Sequence, residues 1–579
     1  MVEVRFDDLT AGPAESFRFT GHAGTIEASA PDAVPRALAA LEEATAEGLW
    51  AAGYLAYEAS PGLDPNLVVR SRPEDDTFGS MPVLWFALFV DWVEAQPIGG
   101  APYRVSEWRP SVPRNEYERA VERIREYIRA GDTYQVNHTF RLRAGVSGDD
   151  RSFYADLLAA QRAAHCAYLD TGRYRVLSAS PEMFFTVEGD RIVTRPMKGT
   201  AARGRFPEED RERAHALVSS PKERAENAMI VDLLRNDLGR ISEPASVHVT
   251  SMFDPERYET VWQLTSTIES ALPPSTGPSR IFPALFPSGS VTGAPKIRSM
   301  EITAELEDSP RGVYTGAVGY LAPAGREGPR MFFNVAIRTV VLDTEAGIAE
   351  FGVGGGITHD SAAAREYEEC VAKARVLVER RPDFELLESI RREDGHLLWL
   401  DRHLERLASS AVYFDFRCDL DAVRAALETV DGPNPAKVRL TLSRSGQITA
   451  TATAVGSTEA VTLAVDDVPV DPSDVFLFHK ATRRGVYEDA AARHPEAGDV
   501  ILVNERGEIT EATSSNVLVR VGADWFTPPA GCGLLPGIHR AVLLERSEIS
   551  ERVITRDELA GADEVALVNS VRLRRAGRL

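Results

Sequence analysis

Strand-like and helix-like runs of apolar positions follow one grammar up to about residues 380–383 and another beyond it. Before the change, strand-like runs at 175–177, 183–187 and 331–341 are interleaved with long helical patterns. The last long helix is predicted over 362–381, where Pro382 cannot easily continue it. After the break, 384–390 reads as a strand and 400–411 as an amphipathic helix, with further strands expected at 461–465, 500–503 and 517–521. No short-period repeat and no long low-complexity segment interrupts either half, and 273–278 reads as a loop inside the first.

Length turns this change of pattern into a domain boundary. A chain of 579 residues exceeds one hydrophobic core, since domains usually run to about 50–250 residues. The expected division is an N-terminal part at 1–110, a catalytic unit at 111–381 and a second domain at 384–579. Hydrophobic residues at 44% and charged residues at 26% fit a soluble globular protein. A formal net charge of -22 argues against binding to nucleic acid or an anionic membrane, because polyanions are repelled. Small anionic substrates respond to the local pocket and are not excluded. The most apolar stretch, 83–90, is broken by Asp91 and falls short of the ~20 residues of a membrane helix. Residues 1–10 lack the basic-then-apolar pattern of a secretory signal, so a cytoplasmic protein is expected. Cys166, Cys370, Cys418 and Cys532 are scattered, and read as free thiols of a reducing compartment.

Two acidic pairs introduce candidate chemistry. Glu223 and Glu226 open a helix running through Met229 and Leu234, and Glu366 and Glu369 lie in the helix before the break. Each pair has i,i+3 spacing, which puts both carboxylates on one helical face. Two such faces brought together offer oxygen ligands suited to Mg²⁺. Either pair alone is more often a solvated surface.

The pairs keep specific company. In order come Ser180-Pro181-Glu182, Arg195-Pro196-Met197-Lys198-Gly199-Thr200, Gly289-Ser290-Val291-Thr292-Gly293-Ala294-Pro295-Lys296, Arg311-Gly312-Val313-Tyr314-Thr315-Gly316, Asn334-Val335-Ala336-Ile337-Arg338 and Gly352-Val353-Gly354-Gly355-Gly356. Over roughly 115–374 this ordered set resembles the chorismate-utilising enzymes, which include the anthranilate, aminodeoxychorismate, isochorismate and salicylate synthases. The resemblance implies that Glu226 and Glu369 bind Mg²⁺ with the substrate's ring carboxylate, supported by Glu223 and Glu366. It implies that Arg338, Tyr314, Gly354 and Gly356 meet the enolpyruvyl carboxylate and that Ser290 contacts substrate. A planar guanidinium suits bidentate carboxylate binding, and glycines allow close backbone approach. Lys198 stands where aminodeoxychorismate synthases carry a nucleophilic lysine and anthranilate synthases an alanine; Glu182 matches the proton donor to the leaving hydroxyl. Gln135 occupies the place of the water-activating lysine of isochorismate and salicylate synthases, and a glutamine cannot act as that base. Gln263 replaces a histidine frequent in relatives, so it can hydrogen-bond but not carry a proton.

The second half carries its own series: His403-Leu404-Glu405-Arg406, His479-Lys480, Thr510-Glu511, Ser514-Ser515-Asn516 and Leu535-Pro536-Gly537-Ile538. It resembles the fold-type IV pyridoxal-phosphate enzymes, which include branched-chain and D-amino acid aminotransferases and aminodeoxychorismate lyase. The resemblance implies that Lys480 carries pyridoxal 5'-phosphate, Glu511 pairs with its pyridine nitrogen and Arg406 holds its phosphate. Gly537 and Ile538 start a helix whose free N–H groups suit a phosphate, and His539 follows where relatives often have a hydroxyl residue.

The fold expected is therefore α+β: a chorismate-binding β-sandwich with flanking helices, followed by a two-subdomain fold-type IV domain. The joint resemblance implies chorismate and ammonia as substrates, 4-amino-4-deoxychorismate as intermediate, and elimination of pyruvate to give 4-aminobenzoate. Fusion favours a lyase over an aminotransferase, because aromatisation drains the first reaction. It further implies a separate glutamine amidotransferase subunit and a homodimer formed through the C-terminal domain. The alternatives are an anthranilate synthase fused to an amino-acid aminotransferase, which Lys198 opposes, and a non-catalytic sensor, which would be expected to have lost Lys198, Lys480 or a metal carboxylate.

Overall fold

The computed structural model describes residues 2–10, 15–73, 75–259, 261–326, 328, 330–378 and 383–579. They divide into two compact units, Met1–Arg203 with Ala214–Arg381, and Gly204–Arg213 with Pro382–Leu579.

In the first unit, nineteen described strands join in one hydrogen-bonded network. The N-terminal strands are part of it: Trp50–Leu55 pairs with both Leu84–Glu94 and Ala317–Leu321. Trp50–Leu55 is buried throughout, as expected of an interior strand. The expected run at 331–341 is two strands, Met331–Val335 and Thr339–Asp343. Arg338 separates them in a left-handed conformation, φ 52°, which ends strand geometry and re-aims the chain.

Two helices position the acidic pairs. Pro221–Gly239 begins at Ser220, whose hydroxyl accepts from the Glu223 N–H, and Pro221 lies in its first turn. Asn227, Ile230, Val231, Leu234 and Leu238 are buried at helical spacing, and this stripe fixes the helix against the unit's core. The second helix is Ala363–Ala374, shorter than the expected 362–381. It tightens into the 3₁₀ turn Arg375–Leu377, which packs Val376 and Leu377 onto the core; 379–382 lie outside the described residues.

The second unit contains two sheets. One has four strands in the order His396–Leu397, Leu386–Glu393, Ala436–Leu442 and Ile448–Ala454. The other has eight and includes Val461–Val465, Asp499–Val503, Ile509–Ala512 and Asn516–Val521. Helix Leu400–Phe414 buries Leu404, Leu407, Ala411 and Phe414 against the four-stranded sheet, and so carries Arg406 on its first two turns. The segment Gly204–Arg213 is part of this unit: Tyr413 donates its hydroxyl to the Gly204 carbonyl at 2.6 Å, and the Phe206 and Phe478 rings lie 5.4 Å apart. No helix of the described residues is long and apolar enough to cross a membrane.

Candidate active sites

In the first unit, strand Met197–Ala202 places Lys198 beside Gly356 of strand Ile348–Ile357. A Cβ on Gly356 would stand 3.0 Å from the Lys198 Nζ and 2.5 Å from the Gln135 Nε2, so only glycine leaves room for both. Burial lowers the Lys198 pKa from 10.5, against the opposing pull of Glu226 and Glu182. Glu182 is 4% exposed, and burial raises its pKa to about 7 against the pull of Ser290 and Lys198. Its Oε1 and both amide atoms of Gln135 are buried with no hydrogen-bond partner. Unsatisfied polar atoms beside a half-buried lysine are costly to the fold, and they mark a place where a ligand can supply the missing partners.

The four glutamates are electrostatic neighbours. Burial raises the pKa of Glu223, Glu226 and Glu366, and the Glu369 charge adds to each rise. Glu369 itself is lowered by Lys373, whose Nζ lies 2.7 Å from its Oε1 and also donates to the Gly354 carbonyl at 2.8 Å. Among the described residues no three His, Cys, Asp or Glu side chains close around a single point as a preformed metal site. The donor set still fits Mg²⁺ in kind: oxygen ligands alone, with Glu223, Glu226 and Glu366 raised in pKa by burial and the neighbouring Glu369 charge.

Arg338 donates to the Lys373 carbonyl and has no carboxylate partner among the described residues; burial brings its pKa down to about 10. Tyr314 is buried, with its pKa raised by burial. Gly354 faces Thr139 across a strand pair, and a Cβ there would come within 2.4 Å of the His138 carbonyl oxygen. Ser290 lies in the turn Gly289–Val291, 2.9 Å from the Ser288 hydroxyl. Gln263 pairs in register with Thr200, on the strand next to Lys198.

In the second unit, Lys480 and Glu511 are brought together. Burial, then Arg406, lowers the Lys480 pKa to about 8. Burial raises that of Glu511 to about 7, while the Tyr487 hydroxyl at 2.8 Å and the Leu535 N–H at 3.1 Å both donate to its Oε1. Arg406 makes a two-pronged ion pair with Glu388, at 2.9 and 2.7 Å, and His403 meets the same carboxylate at 2.7 Å. Although burial opposes it, Arg406 and then His403 hold the Glu388 pKa well below the usual carboxylate range. Gly537 caps helix Ile538–Glu545, and a Cβ there would fall 2.0 Å from the Asn516 Oδ1. Ile538 is buried. His539 turns aside: its Nδ1 meets the Asn569 carbonyl at 3.2 Å and its ring lies 4.9 Å from that of Trp399. Pyridoxal phosphate fits this constellation, with a weakly basic lysine, a hydrogen-bonded carboxyl, an arginine and a glycine-capped helix start in one unit.

Several residues of both sites escaped the sequence. Glu388 stood unremarked in the strand 384–390, although an acid alternating with Leu386 and Ile390 on one strand face is a signal for a buried ion pair. Glu58 had no signal at all. Its two oxygens accept from the Arg311 N–H at 2.7 Å and the Gly312 N–H at 2.8 Å, pinning the turn that presents Tyr314.

Comparison with known proteins finds two families along the chain. Residues 94–379 match the family of chorismate binding enzymes, and residues 385–576 match amino-transferase class IV. Aminodeoxychorismate synthase component 1 of Klebsiella aerogenes is 41% identical over 284 residues, covering 49% of this chain and 62% of the relative. Anthranilate synthase component 1 of Aquifex aeolicus is 37% identical over 290 residues, covering 50% and 56%. The chain thus spans less than two thirds of these curated relatives. The crystal structure of anthranilate synthase component I from Streptococcus pneumoniae matches with a TM-score of 0.51 at 30% identity, over 59% of this chain and 85% of that one. The chain belongs to the chorismate-binding enzymes and carries a class IV amino-transferase domain behind that module.

Proposed function

We propose that the first unit aminates chorismate at C4 with ammonia and that the second eliminates pyruvate from the product, giving 4-aminobenzoate. The observation that carries this is Lys198, a half-buried lysine whose pKa desolvation lowers, beside a carboxyl whose pKa is about 7. A neutral lysine is a nucleophile and a protonated carboxyl is an acid, so the pair is suited to displacing a hydroxyl. The Lys198 nitrogen attacks C2, both conjugated ring double bonds shift, from C1=C2 and C5=C6 to C1=C6 and C4=C5, and the C4 hydroxyl departs with the Glu182 proton as water. Ammonia then adds at C4, both double bonds return, and the Lys198 amine leaves from C2. Anthranilate synthase chemistry, which puts nitrogen at C2, has no use for this lysine.

Arg338, with no carboxylate of its own, would take the enolpyruvyl carboxylate with Tyr314 and the glycine amides. Glu226 and Glu369, supported by Glu223 and Glu366, would hold Mg²⁺, whose charge would neutralise the ring carboxylate. In the second unit Lys480, Glu511, Arg406 and the Gly537–Ile538 amides would hold pyridoxal phosphate, which supplies an electron sink when bound. Lys480 would take the proton from C4 of the substrate and return a proton to the departing pyruvate, with Glu511 sustaining positive charge on the ring nitrogen.

The nitrogen would come from outside the chain. The relatives are named as component 1, which supports a separate glutamine-hydrolysing component. All four thiols here have raised pKa values, Cys370 to about 11 and Cys532 to about 12, with burial the leading cause; none is poised as a glutaminase nucleophile. The test of the reading is Lys198→Ala. It should abolish 4-amino-4-deoxychorismate formation while the variant still converts that compound when supplied. Undiminished synthesis would remove the covalent step.

A further inference from the structure

We propose that Tyr487 is a positioning residue of the second unit, whose hydroxyl fixes the Glu511 carboxyl and keeps it an anion toward the pyridine nitrogen of the cofactor. The proposal rests on the pyridoxal-phosphate reading of this unit and names the side chain that sets the strength of its electron sink.

The helix that delivers Tyr487 starts at Gly485, shortly after Lys480, and runs to Arg493. It buries Tyr487 and Ala490 at i,i+3 spacing, and both pack with Val500 and Leu502 of strand Asp499–Val503. That packing carries the Tyr487 hydroxyl to Glu511 on strand Ile509–Ala512, 2.8 Å from its Oε1. The Leu535 N–H donates to the same oxygen at 3.1 Å. Oε1 thus takes two donors. Oε2 has only the Asn516 amide among the described residues, at 3.3 Å, and that amide is engaged more closely by the Leu535 carbonyl at 2.8 Å. Oε2 is the oxygen left to face a protonated ring nitrogen.

The electrostatics sort the same way. Burial raises the Glu511 pKa to about 7, against the Leu535 N–H, the Tyr487 hydroxyl and then the charges of Lys480 and Arg484. A carboxyl so poised is near the balance between its two forms at neutral pH. Withdrawing a donor tips it toward the neutral form, and a proton shared with the ring nitrogen then passes to the carboxyl. Lys480 is committed to the cofactor and the Leu535 donor is backbone, which leaves Tyr487 as the side chain that sets the balance. Tyr487 stays a donor throughout, because burial and then Glu511 raise its pKa well above the usual tyrosine value; Asp474 adds to the rise and Arg484 opposes it. The Arg484 guanidinium lies 4.5 Å from the Tyr487 ring centroid, where a cation draws electron density from the phenol and strengthens its donation. Packing does not account for this hydroxyl: a phenylalanine would fill the same place in the apolar cluster and donate nothing.

The test uses the full-length holoenzyme, loaded with pyridoxal phosphate that is isotope-labelled at the ring nitrogen. In Tyr487→Phe the NMR signal of that nitrogen should move toward its unprotonated position at neutral pH. Pyruvate release from supplied 4-amino-4-deoxychorismate should lose about tenfold or more in kcat, with KM changed by less than about threefold. Retention of the cofactor absorption band shows that the variant is folded and loaded. A merely structural tyrosine would lower kcat without moving the nitrogen signal; that result, or a kcat within about twofold of wild type, would overturn the proposal. Should Tyr487→Phe not fold, a fluorotyrosine placed at 487 keeps the hydroxyl and reports on it. Its fluorine signal should shift when the cofactor is added, and the shift should vanish when Glu511→Gln is also present. A fluorine signal blind to the cofactor would overturn the proposal. If wild-type protein supplied with pyridoxal phosphate shows no cofactor band, the pyridoxal-phosphate reading itself fails, and the role of Tyr487 with it.

Discussion

Glu182 offers a prediction in which activity and stability move in opposite directions. Its pKa rises from 4.5 to about 7 because the carboxyl is buried. A displacement of that size corresponds to about 3 kcal/mol of preference for the neutral form. In the unfolded chain the group ionises near 4.5, whereas in the fold it keeps its proton to about 7. Between those values the native state binds more protons than the unfolded one, so stability falls as pH rises through the window. By pH 8 the loss reaches about 3 kcal/mol, and Glu182→Gln, which cannot ionise, should be spared it. The same substitution removes the acid for the departing hydroxyl and should slow amination about 10²- to 10⁴-fold. Denaturant titrations at pH 5 and pH 8 should show the variant gaining on wild type at the higher pH. Amination rates, corrected for free ammonia, should show a break near pH 7 in wild type that the variant lacks. A variant as active as wild type, or a stability difference that does not change with pH, would refute the assignment of Glu182 as a buried proton donor.

The other predictions concern the two cofactor sites and the nitrogen source. Glu369→Gln should sharply lower chorismate consumption and raise the Mg²⁺ concentration needed for half-maximal rate; full activity in a chelator would sink the metal assignment. Glu388→Gln removes the carboxylate shared by His403 and Arg406 at 2.7–2.9 Å, and should destabilise the second unit by about 3 kcal/mol in calorimetry while weakening cofactor retention. Ammonium at raised pH should support 4-aminobenzoate synthesis by the pure chain, and glutamine should not until an amidotransferase is added; glutamine-driven synthesis by the chain alone would reveal a missed nucleophile.

What the sequence disclosed was whatever is local. Glu223 with Glu226, and Glu366 with Glu369, share helical faces by spacing, and the structure makes them neighbours. The strand at 461–465 is found with those bounds, because Val461, Leu463 and Val465 alternate toward one core. Arg338 was legible as a candidate, but its left-handed backbone was not, since nothing in an arginine announces positive φ. Contacts across long separations stayed hidden. Glu58 reaches residues 311–312, and Glu511 is met by Tyr487 and Leu535 from segments that spacing cannot relate. Gln135 could be read as the wrong residue for a base, yet its stranded amide became visible only once Gly356 had been placed beside it.

The placement of Gly204–Arg213 bears on how the chain can be cut. The backbone passes between the units after Arg203, after Arg213 and after Arg381, so the change of pattern near 382 is one seam of three. A fragment starting at 384 would keep every residue of the pyridoxal-phosphate constellation. It would nevertheless lose the Gly204 carbonyl that accepts from Tyr413, the Phe206 ring against Phe478, and the Arg205 side chain that donates to Pro472. Gene-splitting or domain-swapping at the obvious boundary should therefore yield a C-terminal piece with an open apolar flank at Phe478, prone to self-association, and supplying residues 204–213 as a peptide should restore its solubility.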